Sequence, residues 1–191
     1  MPRTLTDIRL IGLAGIVAGA LALAPSASAS AVCAHSSATP TKANTRKLVR
    51  TTLCLLNAER RKHGLRKLRL SKRLSKAAVK HSRDMVHRDY FSHTSLSGAS
   101  FVDRIRHTGY LSGAHAWMVG ENLAWGSGSL SSPAQTVRAW MHSPGHRHNI
   151  LTGRFRHIGI GIVVGAPAHV GGMASATYTT DFGFKSFGFK S

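Results

Sequence analysis

The sequence predicts an α+β fold, and three observations carry that expectation. Apolar residues recur at helical spacing through the first half of the chain, from Leu48 to Val86. Near the end, Ile158, Ile160, Ile162 and Val164 alternate with His157, Gly159, Gly161 and Val163, the clearest strand pattern in the protein. A run rich in Thr, Tyr and Ala, Met173 to Phe182, follows a Gly-rich connection over 165–172 and reads as the antiparallel partner of that strand.

The elements follow in order. Thr45 to His63 places Leu48, Val49, Thr52, Leu55, Leu56 and Ala58 close to one helical face, and Gly64 ends the helix as a C′ glycine does. Leu65 to Leu70 is a short connector, pinned to the core by Leu65, Leu68 and Leu70. Ser71 is a good N-cap for a second helix carrying Leu74, Ala77, Ala78, His81, Met85 and Val86 at spacings of three and four. Ser100 to Gly109 reads as a short third helix with Phe101 and Ile105 inward. Tyr110 to Met118 is expected as a loop, Val119 to Trp125 as a brief extended segment carrying Glu121, and Gly126 to Ser131 as a Gly/Ser turn. Pro133 suits the first position of a fourth helix, which places Val137, Trp140 and Met141 on one face. Pro144-Gly145 breaks it.

The amino-terminal segment reads as an address. Arg3 and Arg9 precede an apolar run from Leu10 to Ala24, and Ala-x-Ala spacing follows at 27–31, which together make a secretory signal peptide over 1–29 with cleavage after Ala29 or Ala31. The run is shorter than the roughly 20 apolar residues that a membrane anchor requires. Residues 30–43, rich in Ser, Thr and Ala, are expected to be a disordered leader, 44–183 the folded domain, and 184–191 a tail. The tail completes a duplicated Phe-Gly-Phe-Lys-Ser, read either as a frayed end or as a small basic-aromatic adhesive.

Composition narrows the partners. In 191 residues, 26 Lys and Arg face 7 Asp and Glu, a formal charge of +19. Such an excess attracts anionic polymers, and for an exported protein cell-wall polymers or lipid head groups are the expected partners. No nucleic-acid-binding motif or series of aromatics for base stacking accompanies the charge, so no specific nucleic acid is expected. A basic surface that serves solubility alone is the bland alternative. Export also decides how Cys33 and Cys54 are read: in an oxidising compartment the only two cysteines are expected to form a disulfide that ties the mature amino terminus to the first helix. The alternative is a buried free Cys54 and a loose Cys33.

Five blocks stand in order: Phe91-Ser92-His93-Thr94, Gly120-Glu121-Asn122-Leu123-Ala124-Trp125-Gly126, Ala139 to Leu151, Arg156 to Val164, and Tyr178 to Gly183. In this order they resemble a bacterial domain of the CAP superfamily, which groups cysteine-rich secretory proteins, antigen 5 and pathogenesis-related 1 proteins. The resemblance covers about 44–183. It implies a secreted three-layer α-β-α sandwich, an antiparallel sheet flanked by helices, with a surface cleft where two His and two Glu gather. His93, Glu121 and His146 fall on three of those positions. The fourth, a second Glu, falls on Ser143, leaving a triad unless His142 fills the gap. Two imidazoles beside a carboxylate can hold a divalent ion or share protons, so a weakly bound Zn-like ion at His93 and His146 is expected, with Glu121 beside it.

Each of these residues also has a purely structural reading. His93 could cap helix carbonyls, Glu121 could be a buried acceptor that fixes the loop backbone, and His146 could serve a helix start together with Asn149. His142, His146 and His148 do not make a helical zinc motif, because Pro144-Gly145 interrupts the face they would share. Three function classes follow. The first is a non-enzymatic extracellular binding module for lipid-like or anionic wall and membrane ligands. The second is a wall or surface structural protein with a relic cleft. The third is a hydrolase, metal-dependent or using Ser92, Ser95 or Ser143 as nucleophile, although neither a nucleophile elbow nor an oxyanion-hole motif is present.

Overall fold

The computed structural model describes residues 33–188. The expected signal peptide and residues 189–191 of the tail lie outside the described residues. Helix α1 spans Thr45–Lys62, strand β1 Arg69–Leu70, α2 Lys72–His87 and α3 Phe101–His107. Strand β2 covers Ala116–Ser127 and runs into a 3-10 turn at Gly128–Ser131. Then come α4 (Pro133–His142), α5 (Pro144–Leu151), β3 (His157–Val164) and β4 (Ser175–Ser186).

The four strands form one sheet in the order β1-β3-β4-β2. Alternation in β3 sorts the two faces. Ile158, Ile160 and Ile162 are buried with Leu48, Leu55, Leu56, Val137 and Trp140 of α1 and α4. On the opposite face, a Cβ on Gly159 would lie 2.1 Å from the Leu74 backbone and one on Gly161 2.5 Å from that of Ala78. The glycines therefore let α2 sit directly on the sheet, where Ser82 Oγ meets Thr179 Oγ1 of β4 at 2.8 Å. Helices on both faces of one sheet make the α-β-α sandwich.

Arg60 at the end of α1 is fully buried and joins α1 to the far end of α5. Its guanidinium donates to the carbonyls of Ile150 and Thr152 at 2.7 and 3.0 Å, to Arg66 at 2.8 Å and to Phe155 at 3.4 Å. It thus satisfies carbonyls that a helix end leaves without partners.

The structure differs from expectation in several places. The sheet is mixed, because β1 pairs in parallel with β3 through Arg69 and Leu70. A two-residue edge strand has too little pattern to be read from sequence, and Leu70, expected inward, is 43% exposed there. Residues 33–43 are tethered and not a loose leader: Cys33 is buried in the core, Thr51 Oγ1 donates to the Ala34 carbonyl at 2.8 Å, and Ala134 N donates to that of Ser36 at 2.9 Å. The cause is the Cys33–Cys54 disulfide, present as expected with Cα atoms 5.9 Å apart. Strand β2 starts inside the expected loop and ends inside the expected turn, since β4 pairs with it from Ala116↔Ser186 to Ser127↔Ser175. The same pairing carries β4 to Ser186, past the expected domain end at Gly183. Pro144 ends α4 and at once opens α5 at its first turn.

Candidate functional site

The site is built at the middle of β2. Glu121 is a strand residue whose side chain is 1% exposed, and both of its oxygens are engaged. Oε1 accepts from His93 Nδ1 at 2.7 Å and Oε2 from Arg104 Nη2 at 2.6 Å. The register sets Glu121 directly opposite Asp181 of β4, so two acidic side chains stand side by side on one face of the sheet. Asp181 is buried and hydrogen-bonded to Glu121, while its Oδ1 has no partner among the described residues. Burial, and then the charge of Glu121, push the Asp181 carboxyl well above the usual carboxylate range. Both effects favour the neutral acid over the carboxylate.

His93 lies on the loop between α2 and α3, with its side chain 54% exposed. Two side chains, one buried and one nearly so, hold that loop. His81 of α2 donates from Nε2 to the Ser92 carbonyl at 2.9 Å. Arg104 of α3 donates from Nη1 to the His93 carbonyl, Ser95 Oγ and the Ala99 carbonyl at 2.9, 3.1 and 3.1 Å. One arginine thus clamps the backbone that carries His93 and the carboxylate that orients its ring. With Nδ1–H facing Glu121, a neutral His93 leaves the lone pair of Nε2 outward, toward solvent and any ligand.

His146 comes from the first turn of α5, which docks on β2 beside Glu121. Asn122 Nδ2 donates to the His146 carbonyl at 3.1 Å, and Asn149 Nδ2 donates to the Glu121 carbonyl and to Asn122 Oδ1 at 3.1 and 2.8 Å. Gly120 makes the approach feasible, since a Cβ there would lie 2.8 Å from Asn149 Oδ1. Burial, and then the neighbouring charge of His93, lower the His146 pKa.

The structure thus bonds His93 to Glu121 and docks the His146 backbone on the next residue of β2, Asn122. His142 stands apart on α4: its Nδ1 faces the Arg138 carbonyl of its own helix at 2.8 Å, and it lines a shallow groove with His148. Ser143 sits at the α4–α5 junction, its N–H on the Trp140 carbonyl at 3.2 Å. Among the described residues, no group of three or more His, Cys, Asp and Glu side chains is arranged to hold a metal ion. An ion at His93 and His146 would have two imidazoles from the protein, with both Glu121 oxygens already engaged. Sequence reasoning missed Arg104 and Asp181. The one available signal was an aspartate inside a strand otherwise rich in Thr, Tyr and Ala, in a chain with only 7 acidic residues.

Residues 53–178 match the family described as "CAP: Cysteine-rich secretory protein family". The chain belongs to the CAP family. Its CAP domain is 42% identical over 109 residues to the uncharacterized protein YkwD of Bacillus subtilis, a match that covers 57% of this chain and 40% of YkwD. Among solved structures, an extracellular protein containing a SCP domain from Bacillus anthracis is 26% identical with a TM-score of 0.56, covering 75% of this chain and 44% of that one. An outer surface protein of Borrelia burgdorferi shares the fold at 20% identity and a TM-score of 0.61, covering 74% of this chain and 96% of that one. The CAP domain thus spans less than half the length of YkwD.

Proposed function

We propose that this CAP protein is an exported, non-enzymatic binding module that engages anionic cell-wall polymers or lipid head groups. The carrying observation is a formal charge of +19 on the chain, with two of its few acids, Glu121 and Asp181, buried in the fold and Glu121 paired with Arg104 and His93. The surface seen by a polyanion is therefore basic. The Cys33–Cys54 disulfide supports export, since such bonds persist in oxidising compartments. No helix of the described residues is long and apolar enough to cross a membrane.

The site's wiring favours binding over hydrolysis. Ser95 Oγ accepts from Arg104 and Ser92 Oγ from Thr94 N, and no serine hydroxyl contacts the His93 ring among the described residues. A Zn-like ion belongs to the same reading at low affinity. Two imidazoles leave most of its shell to water, and the basic surroundings repel it. The test is a titration of the purified protein with anionic vesicles and wall polymer, beside a turnover assay on a peptide and ester library. Saturable binding without turnover supports the proposal, and turnover abolished by His93→Ala replaces it with a hydrolase.

A further inference from the structure

A second concavity, of about 400 Å³, opens between α2 and α3, with Lys76, Lys80, His81, Asp84, Arg88 and Arg104 on its wall. Its acid and two of its bases are already occupied. Asp84 accepts from the Tyr90 hydroxyl and faces Arg88 at 3.7 Å, and Arg104 is committed to Glu121 and the His93 loop. Lys76 and Lys80 are different: they are exposed, one turn apart on α2, and make no hydrogen bond or ion pair among the described residues. Like charges at this spacing repel, and an anion between them relieves the repulsion.

A second observation comes from the same wall. His81 is 1% exposed. Its Nε2 must carry the hydrogen, because the Ser92 carbonyl it faces can only accept. Nδ1 is then a bare acceptor, buried and without a partner among the described residues. A buried acceptor left unmet costs about 1–3 kcal/mol, and burial lowers the His81 pKa, so the ring does not meet that need by protonating near neutral pH. The concavity therefore asks for an anion and a hydrogen-bond donor together. The oxygens of a phosphodiester or a fully ionised phosphate ester only accept, whereas a hydroxyl on a neighbouring carbon donates.

We propose that the α2–α3 concavity binds a polyol phosphate, its phosphate on Lys76 and Lys80 and a hydroxyl, directly or through one ordered water, serving His81 Nδ1. The wall favours a hydrated polymer unit over a lipid: its apolar residues are Ala77 and Ala99, with no place for an acyl chain. The wall-polymer source of this ligand rests on the function proposed above, and the site itself does not.

The test titrates the full-length chain with glycerol 3-phosphate, inorganic phosphate and glycerol, following the ¹⁵N and ¹H resonances of the His81 ring. The expected result is a saturable shift of Nδ1 with glycerol 3-phosphate and binding roughly tenfold weaker for the two fragments. Lys76→Ala/Lys80→Ala, two exposed positions that leave the fold intact, should weaken glycerol 3-phosphate binding by about tenfold. Equal binding of inorganic phosphate, an unmoved His81 or an indifferent double variant overturns the proposal. If wall polymer still binds in that case, the function proposed above survives; if wall polymer also fails at low salt, both fall. Binding to phosphatidylglycerol vesicles through Lys76 and Lys80, without binding of soluble glycerol 3-phosphate, replaces the polymer unit with a membrane surface.

Discussion

Glu121 is held by His93, Arg104 and Asp181, and that arrangement sets its behaviour on mutation. Glu121→Gln leaves the Arg104 guanidinium, 10% exposed, beside a neutral amide. Removing one partner of a buried pair costs about 3 kcal/mol, which urea unfolding should show. Asp181 works in the opposite direction on pH. Its native pKa is raised, so between the ordinary carboxylate range and that raised value the folded state binds a proton that the unfolded chain releases. Its contribution to stability is therefore lost as pH rises through that window. Asp181→Asn, which keeps a donor toward Glu121, should remove this slope and melt at or above the native protein on the alkaline side. His81 and His146 carry lowered pKa values from burial, so their contribution is lost as pH falls below about 6.5. Thermal unfolding across pH separates the two trends by sign. The His93–Glu121 pair was legible because each residue stands in a short local block. Arg104 and Asp181 were not, because their roles depend on strand register and on a helix packing across a loop.

Strand β3 was readable from its alternation, and the same pattern explains why its two faces are so unequal. The isoleucine side is an ordinary core face, and the glycine side is a contact with the α2 backbone. Gly159→Ala puts a methyl 2.1 Å from the Leu74 backbone, so the helix must lift. Overpacking of this kind costs about 1–3 kcal/mol, and at the top of that range here because the obstacle is main chain. A chemical-denaturation midpoint would show it. Element ends were the hidden part. The extent of β2 and β4 is fixed by their mutual pairing, which keeps Phe184 partly buried against the core and carries the strand to Ser186. No local turn signal in the sequence marks that limit. β1 exists because Arg69 N donates to the Arg156 carbonyl at 3.0 Å and Ser71 N to that of Ile158 at 2.8 Å, both long-range bonds.

At the scale of the whole molecule, two features bear on the proposed function. The disulfide closes a loop of 21 residues' separation and seats residues 33–43 against α1 and α4. In the chain-entropy description such a loop is worth about 3 kcal/mol. Cys33→Ser/Cys54→Ser should lower the melting temperature by on the order of 10 °C, and a smaller change would mean that the hydrogen bonds of residues 34 and 36 hold the segment unaided. The second feature is charge. The +19 balance was plain in the sequence, whereas the withdrawal of Glu121 and Asp181 behind Arg104 and the sheet needed the fold. Exposed charges act through a screening length of about 8 Å at physiological ionic strength, falling to about 3 Å at 1 M. The central claim, that a basic CAP domain recognises anionic wall material by charge, is tested most directly by measuring its affinity for purified anionic wall polymer as a function of salt. The account predicts that affinity falls by about tenfold or more between about 0.05 and 0.5 M salt; an affinity that stays constant over that range would contradict it.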